Sequence, residues 1–193
     1  MKRKRVAILI SGRGSNMAAL IDAARATGYP AEIALVVSNV PDAAGLALAA
    51  NAGVTTAVLD HKPFGKDRAA FETALQNILD QHRIDLICLA GFMRLFTAEF
   101  VQRWSGRMLN IHPSLLPLFP GLDPHGQALR AGVKTSGATV HFVIPDTDAG
   151  PIIAQESVPV LADDTPDTLA ARVLEAEHRL YPVALRRVIE EKI

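Results

Sequence analysis

An asparagine and a histidine stand two residues apart at the end of an apolar segment, in the run Asn110-Ile111-His112-Pro113. Side chains at positions i and i+2 of a β-strand project from the same face, so Asn110 and His112 should point into one cavity. Pro113 cannot donate to a strand ladder and should end the strand. An amide donor beside an imidazole suits addition to a carbonyl, because one group donates a hydrogen bond to the developing oxyanion while the other donates or accepts a proton. The alternative is a strand end whose Asn and His are merely hydrogen-bonded.

A second polar segment, Ser11–Asn16, follows the apolar run Val6–Ile10 and precedes an Ala-rich helix. Its glycines let the backbone approach an anion, and the helix N-terminus offers free N–H groups. A dinucleotide fingerprint is disfavoured, because Met17 stands where a third Gly is required and no acidic residue ends the next strand. We expect a cradle for one phosphate, assisted by the Ser15 hydroxyl and the Asn16 amide. The alternative is a tight strand–helix turn.

Three further segments could complete a site. The segment Ala90–Leu95 follows an apolar strand, and its apolar side chains suggest a slot for a flat ring, unless they pack under a neighbouring helix. Asp148 lies in a loop closed by Gly150-Pro151, where an acidic residue is also ordinary turn chemistry. Glu177 lies on the last predicted helix and could face either a ligand or water.

Length and composition limit the kinds of protein that this chain can be. The 193 residues suffice for one domain with a substantial core, and we predict a single domain over 1–193. The 20 basic and 20 acidic residues cancel, which gives no global field to attract nucleic acid. No apolar block approaches the roughly 20 residues of a membrane span. The one cysteine, Cys88, lies in an apolar run and cannot form an intrachain disulfide, so we expect a cytoplasmic protein with an inert core thiol.

The hydrophobic pattern alternates strands and helices, and its continuous apolar strands are typical of a parallel sheet covered on both faces. We therefore predict a doubly wound, mostly parallel α/β fold with a C-terminal strand pair and a long final helix. Asp67 should cap one helix, and Thr165 with Pro166 should begin the last. The predicted strands are Val6–Ile10, Ala31–Val37, Thr55–Leu59, Asp85–Ala90, Met108–His112, Ala138–Ile144 and Ile152–Val160. The predicted helices are Asn16–Thr27, Ala43–Ala52, Asp67 to about His82, Ala98–Trp104 and Thr165 to about Glu190.

Taken together, six motifs resemble the phosphoribosylglycinamide formyltransferases, a branch of the folate-dependent formyltransferase superfamily. The resemblance covers nearly the whole chain and implies the Rossmann-like fold of that superfamily. The motifs are Ser11–Asn16, Ala90–Arg94, Asn110–Pro117, Pro120-Gly121-Leu122, His141-Phe142-Val143 and Asp148–Pro151. The sequence departs from the family pattern at Arg13, at Asp123-Pro124-His125-Gly126 and at Pro145.

The resemblance implies transfer of a formyl group from 10-formyltetrahydrofolate to the amine of 5-phosphoribosylglycinamide in purine synthesis. It makes Asn110, His112 and Asp148 a catalytic trio, with Asn110 and His112 as donors to the oxyanion. Asp148 would favour the charged imidazole and help to carry the amine proton away through water. The substrate phosphate is expected on Gly14, Ser15 and Asn16, with Glu177 near the ribose. The pteridine of the folate is expected against Phe92, Met93, Arg94, Leu95, Val143, Ile144 and Asp148.

Neither a metal nor a nucleophilic Ser or Cys is expected, since direct transfer suffices. The protein could be a monomer or a homodimer. A formyltetrahydrofolate hydrolase is the first alternative, although its regulatory N-terminal domain has no counterpart before the first predicted strand. A methionyl-tRNA formyltransferase would carry an extra C-terminal domain and a basic surface. The third alternative is a non-catalytic nucleotide-binding protein on the same fold.

Overall fold

The computed structural model describes residues 2–191 as one mixed sheet of seven strands with helices on both faces. The strands are β1 (Lys4–Ile10), β2 (Ala31–Ser38), β3 (Thr56–Val58), β4 (Leu86–Leu89), β5 (Met108–His112), β6 (Thr135–Phe142) and β7 (Ile152–Pro159). The α-helices are α1 (Ser15–Ala24), α2 (Ala44–Asn51), α3 (Arg68–Gln81), α4 (Ala98–Arg103), α5 (Pro124–Arg130) and α6 (Pro166–Glu191), and a short 3-10 helix spans Lys62–Phe64.

The strand order is β3-β2-β1-β4-β5-β6-β7, and the first five of these strands are parallel. β6 and β7 are antiparallel to their neighbours, as the predicted C-terminal strand pair requires. The order reverses between β1 and β4, which places their two following loops side by side. In sheets of this kind, ligands bind at that reversal, beyond the carboxyl ends of the strands.

Alternating residues of the central strands supply two separate cores, which explains their unbroken apolar runs. Val6, Ile8 and Ile10 face the core under α1 and α6. Ala7 and Leu9 face the second core, which contains Phe71 of α3 and Phe100 of α4. The predicted doubly wound α/β fold is therefore confirmed.

Helix α6 crosses the first core and ties the strand pair to the parallel part of the sheet. Its start is as predicted, with Pro166 as the first helical residue and the Thr165 hydroxyl accepting the Thr168 N–H at 3.2 Å. The Tyr181 hydroxyl lies 3.0 Å from the Leu89 carbonyl oxygen and 3.2 Å from that of Leu109. One buried side chain thus joins α6 to β4 and β5.

Some predicted boundaries were wrong. Helix α1 ends at Ala24 instead of Thr27, because the chain tightens into turn hydrogen bonds and then reaches Gly28 at φ 82°. β6 begins at Thr135 instead of Ala138, since pairing with β7 extends it. Helix α5 was not predicted at all. Its cap is nevertheless visible in the sequence, because Asp123 accepts the Gly126 N–H and Pro124 occupies the first turn.

Candidate active site

Asn110 and His112 lie on the same face of β5, as their spacing predicts, and β6 adds a third polar side chain to that face. The antiparallel register places His141 opposite Asn110 and Thr139 opposite His112. Directly opposed residues of two antiparallel strands project from the same side of the sheet. The end of β5 therefore carries an amide and two imidazoles close together, and His112 and His141 are both buried.

The His112 ring is held between a carbonyl group and a carboxylate. Its Nε2 lies 2.9 Å from the Phe119 carbonyl oxygen, and its Nδ1 lies 3.3 Å from Asp148 Oδ2. A carbonyl oxygen only accepts hydrogen bonds, so Nε2 carries a proton. Both ring nitrogens of the buried His112 thus face oxygen atoms of the protein, and one of these oxygens belongs to a carboxylate.

His141 connects the other two members of the predicted trio. Its Nδ1 donates to the Phe142 carbonyl oxygen at 2.9 Å, because a carbonyl oxygen only accepts. Its Nε2 lies 3.2 Å from Asn110 Nδ2 and 3.7 Å from Asp148 Oδ1. The contact with His141 thus orients the Asn110 amide, and His141 also faces the Asp148 carboxylate.

Asp148 reaches the site from a constrained loop. Its backbone is left-handed at φ 53°, and its Oδ2 accepts the Gly121 N–H at 2.9 Å. Gly150 fits only because it lacks a side chain, since a Cβ there would lie 1.8 Å from the Phe142 carbonyl oxygen. Burial raises the pKa of Asp148, but His141, the Gly121 N–H and His112 together lower it, and the pKa ends below its ordinary value. Asp148 is therefore both a turn residue and a stable carboxylate.

The Ser11–Asn16 loop meets α6 beside the N-terminus of α1. Gly14 has φ 76°, and a Cβ at this position would lie 2.9 Å from the Gly45 Cα of α2. No side chain among residues 2–191 caps α1, so no side-chain acceptor occupies its first N–H groups. Asn16 Nδ2 donates to Glu177 Oε2 at 3.1 Å. The predicted substrate-binding residues from the two ends of the chain are thus neighbours.

Glu177 is a carboxylate with little access to water. The residue is 6% exposed, and its polar contact is the amide of Asn16. Burial raises the pKa of Glu177 to about 7, against a smaller lowering by the Asn16 hydrogen bond. Near neutral pH this side chain can therefore donate or accept a hydrogen bond.

The segment 91–96, which we term the β4 loop, divides into packed and exposed side chains. Phe92 stacks on Phe96 at 5.4 Å between ring centroids, and Phe96 stacks on Phe100 of α4 at 4.8 Å. Met93 and Leu95 remain 76% and 61% exposed. Val143 and Phe92 border the same second core. The stacking of Phe92 therefore supports the alternative that the loop's apolar side chains pack against a neighbouring helix. Met93 and Leu95, in contrast, leave exposed apolar surface for a ligand.

No group of three or more His, Cys, Asp or Glu side chains within residues 2–191 is arranged to hold a metal ion. Over the same residues, no helix is long and apolar enough to span a membrane.

Cys88 is buried, and burial raises the pKa of its thiol to about 12, as the prediction of an inert core cysteine requires.

The family model of the formyl transferases matches residues 4–185, which include every element and loop of this site. The chain belongs to the formyl transferase family. This formyl transferase is similar in structure to the phosphoribosylglycinamide formyltransferase of Brucella melitensis, with a TM-score of 0.94 and 56% identity over 98% of this chain and 97% of that one. The predicted resemblance is thereby confirmed.

Curated relatives extend the similarity. The formyl transferase is 44% identical to phosphoribosylglycinamide formyltransferase of Escherichia coli, over 93% of this chain and 84% of that protein. It is 53% identical to the trifunctional purine biosynthetic protein adenosine-3 of Bos taurus over 97% of this chain. This alignment spans only 18% of the trifunctional protein's length.

The site of this formyl transferase also contains residues that the sequence did not single out. His141 was noted only as part of a family motif, and Phe119 was not considered. The alternating pattern of β6 could have indicated that His141 faces the same way as Thr139. The register that brings His141 opposite Asn110 depends on pairing between distant segments, which the sequence does not display.

Proposed function

We propose that this formyl transferase moves a formyl group from 10-formyltetrahydrofolate to the amine of 5-phosphoribosylglycinamide. The arrangement of Asn110, His112 and Asp148 around one point at the end of β5 carries the proposal. The names of the Escherichia coli and Brucella melitensis relatives support the choice of phosphoribosylglycinamide as acceptor. As an enzyme of this kind, it would act in purine biosynthesis.

The reaction joins the substrate nitrogen to the formyl carbon and then breaks the bond between that carbon and the folate nitrogen. Attack by the amine gives a tetrahedral intermediate with a negative oxygen and a positive nitrogen. One proton must leave the attacking nitrogen, and one must reach the departing folate nitrogen. The site therefore needs a hydrogen-bond donor and a positive charge near the oxygen, together with a group that relays a proton.

In our proposal, Asn110 donates an amide N–H to the oxyanion, and its side chain is oriented by the contact with His141. His112 contributes its positive charge, because both of its N–H groups already face protein acceptors. Asp148 keeps His112 charged and accepts the amine proton, directly or through water. Its lowered pKa keeps it ionised for that role. A preorganised donor of this type is typically worth about 10²–10³ in rate.

The binding residues are assigned on the same basis. The substrate phosphate would bind the N–H groups of Gly14, Ser15 and Asn16 at the uncapped start of α1, with Glu177 close enough to receive the ribose. The folate ring would bind the β4 loop through Phe92, Met93, Arg94 and Leu95. On the opposite side, the folate ring would contact Val143, Ile144 and Asp148.

Direct transfer in this scheme uses small-molecule substrates and requires no metal. We also infer a cytoplasmic location, because the only thiol is buried and the chain carries no second cysteine with which to pair. We predict that the enzyme is a monomer or a homodimer.

A product assay tests the proposal. The purified protein is mixed with 10-formyltetrahydrofolate, with and without 5-phosphoribosylglycinamide, and both tetrahydrofolate and the formylated product are quantified. We expect equal amounts of both products, and only when the amine substrate is present. Tetrahydrofolate and formate without the amine would indicate the hydrolase, and no turnover with retained binding would indicate a non-catalytic protein.

A further inference from the structure

The backbone of the β4 loop is held to the protein by very few polar contacts. Within residues 2–191, the backbone groups of 91–96 make one hydrogen bond, from the Met93 N–H to the Ser11 Oγ at 2.8 Å. Its other attachments are side-chain contacts, such as the Arg94 guanidinium 4.7 Å from the Phe71 ring centroid. The Ser11 hydroxyl is therefore the polar partner of this loop's backbone within the described residues.

The Ser11 hydroxyl is itself oriented by a buried amide. Its Oγ donates to Asn39 Oδ1 at 2.5 Å, and Asn39 is 3% exposed. A hydroxyl has one proton, so the bond to Asn39 leaves the oxygen's lone pairs to receive the Met93 N–H. Asn39 follows β2, Ser11 follows β1 and Met93 follows β4. A single hydroxyl thus joins the loops of three adjacent strands.

Ser11 is also the first residue of the Ser11–Asn16 loop, which we term the phosphate loop because the proposed function places the substrate phosphate there. The next residue, Gly12, accepts the Gly45 N–H of α2 at 3.0 Å, which anchors that loop on its other side. The loops after β1 and β4 flank the point where the strand order reverses, which is the usual ligand position in such sheets. One hydrogen bond, from the Met93 N–H to Ser11 Oγ, therefore connects the phosphate loop to the β4 loop.

We propose that Ser11 is a positioning residue that sets the β4 loop relative to the phosphate loop and so couples the binding of the two substrates. The inference rests on the proposed function, which assigns the phosphate to one loop and the folate ring to the other. Ser11 touches neither reacting group and acts through the Met93 backbone. Binding of the phosphate-bearing substrate thereby improves the fit of the folate, and linkage makes the effect reciprocal.

The test compares Ser11→Ala with Ser38→Ala in the otherwise intact protein. Ser38 is a buried serine at the end of β2 whose hydroxyl forms its hydrogen bonds, within residues 2–191, with the backbone of Val40, so its loss serves as a matched control. In Ser11→Ala we expect hydrogen exchange at the Met93 amide to become about 10-fold faster without any substrate, as expected for the loss of one hydrogen bond. Ser38→Ala should leave that amide unchanged.

Binding measurements then test the coupling. The dissociation constant of the folate is measured with and without 5-phosphoribosylglycinamide. The wild type should bind the folate more tightly when the second substrate is present, and Ser11→Ala should lose most of this difference. Its KM for the folate should rise by about 2- to 10-fold, the range for one net hydrogen bond. Ser11→Thr keeps the hydroxyl and should restore both quantities.

The outcomes separate this inference from the proposed function. Exchange at Met93 that is unchanged in Ser11→Ala would overturn the positioning role, whatever the protein catalyses. Faster exchange with unchanged coupling in an active enzyme would overturn the link between the two substrates. A wild-type protein without formyl transfer would instead overturn the proposed function.

Discussion

The two imidazoles of the site both face the Asp148 carboxylate, and His141 also contacts the Asn110 amide. Both rings place one nitrogen against a carbonyl oxygen, at 2.9 Å in each case. The other nitrogen of His112 faces Asp148 Oδ2 at 3.3 Å, whereas that of His141 lies 3.2 Å from the Asn110 amide and 3.7 Å from Asp148 Oδ1. The Asp148 carboxylate therefore links the two histidines of adjacent strands, and His141 in turn links that carboxylate to Asn110.

Asn110 and His112 are expected to act on the same oxygen. Replacing either by Ala should leave both substrates' affinities within a few-fold and lower kcat by at least about 10². The double variant should lose less than the product of the two single losses, because both groups serve one oxyanion. Single-turnover rates with separately measured dissociation constants check this. An Asn110→Ala enzyme with normal turnover but weakened phosphate binding would contradict the assigned roles.

Asp148→Asn separates catalysis from turn chemistry at the left-handed position of that loop. Asn tolerates φ 53° at least as well as Asp and keeps an oxygen for the Gly121 N–H, so the loop should remain folded. The charge that favours the His112 imidazolium is lost. The ionised carboxylate stabilises the folded state, because its pKa is lowered there, so we expect a folded protein with a somewhat lower Tm. It should still bind the folate, with turnover lower by about 10² or more. A stable and fully active Asp148→Asn protein would remove this residue from the mechanism.

Glu177 should make stability depend on pH. Its pKa is raised from 4.5 to about 7 in the folded protein. Below pH 4.5 both folded and unfolded forms are protonated. Between pH 4.5 and 7 the unfolded form ionises first, so the free energy of unfolding falls, by up to about 3 kcal/mol in all. Above pH 7 the loss is complete and constant.

Glu177→Gln cannot ionise and should keep that stability. Urea unfolding should give similar values for the variant and the wild type at pH 4.5, with the variant the more stable at pH 8. Glu175→Gln, at an exposed position of the same helix, is the control and should follow the wild type at both values. Equal stability of Glu177→Gln and wild type at pH 8 would show that the folded protein does not resist ionisation there.

At the scale of elements, local signals predicted most of the fold. The apolar runs of β1, β2, β4 and β5 and the caps at Asp67 and Thr165 are visible in short windows of sequence. The contacts that complete the site are not local. His141 meets Asn110 across 31 positions, and Asn16 meets Glu177 across 161. The sequence could therefore suggest which residues matter, but their pairing required the register of the sheet and the path of α6.

The N-terminus of α1 depends on a close approach of two helices at Gly14 and Gly45. Gly14→Ala would introduce a Cβ 2.9 Å from the Gly45 Cα at φ 76°, so the loop must shift. We expect the KM for the phosphate-bearing substrate to rise by at least about 10-fold, since every phosphate donor of the loop moves. Gly12→Ala is the control, because no atom lies within 4 Å of a Cβ built there. Equal KM values for the two variants would contradict a backbone phosphate site.

At the scale of the whole molecule, the sheet separates two cores that nevertheless share every central strand. The α1 and α6 side contains Leu185, and the α3 and α4 side contains Trp104. Adjacent residues of β1 belong to opposite cores, so neither core can be lost while the other keeps its strands in place. We therefore propose that residues 1–193 fold as a single cooperative domain.

Trp104, the only tryptophan of the chain, makes this proposal testable. Leu185→Ala removes a fully buried side chain from the opposite core and should cost about 2–5 kcal/mol. In one cooperative domain, the urea midpoint followed by Trp104 fluorescence must fall by the same amount as the midpoint followed by circular dichroism. Val183→Ala, at a 62% exposed position of the same helix, should shift neither midpoint by much. If the fluorescence midpoint stays at its wild-type value while the circular dichroism midpoint falls, the two faces of the sheet unfold separately and the chain is not one cooperative unit.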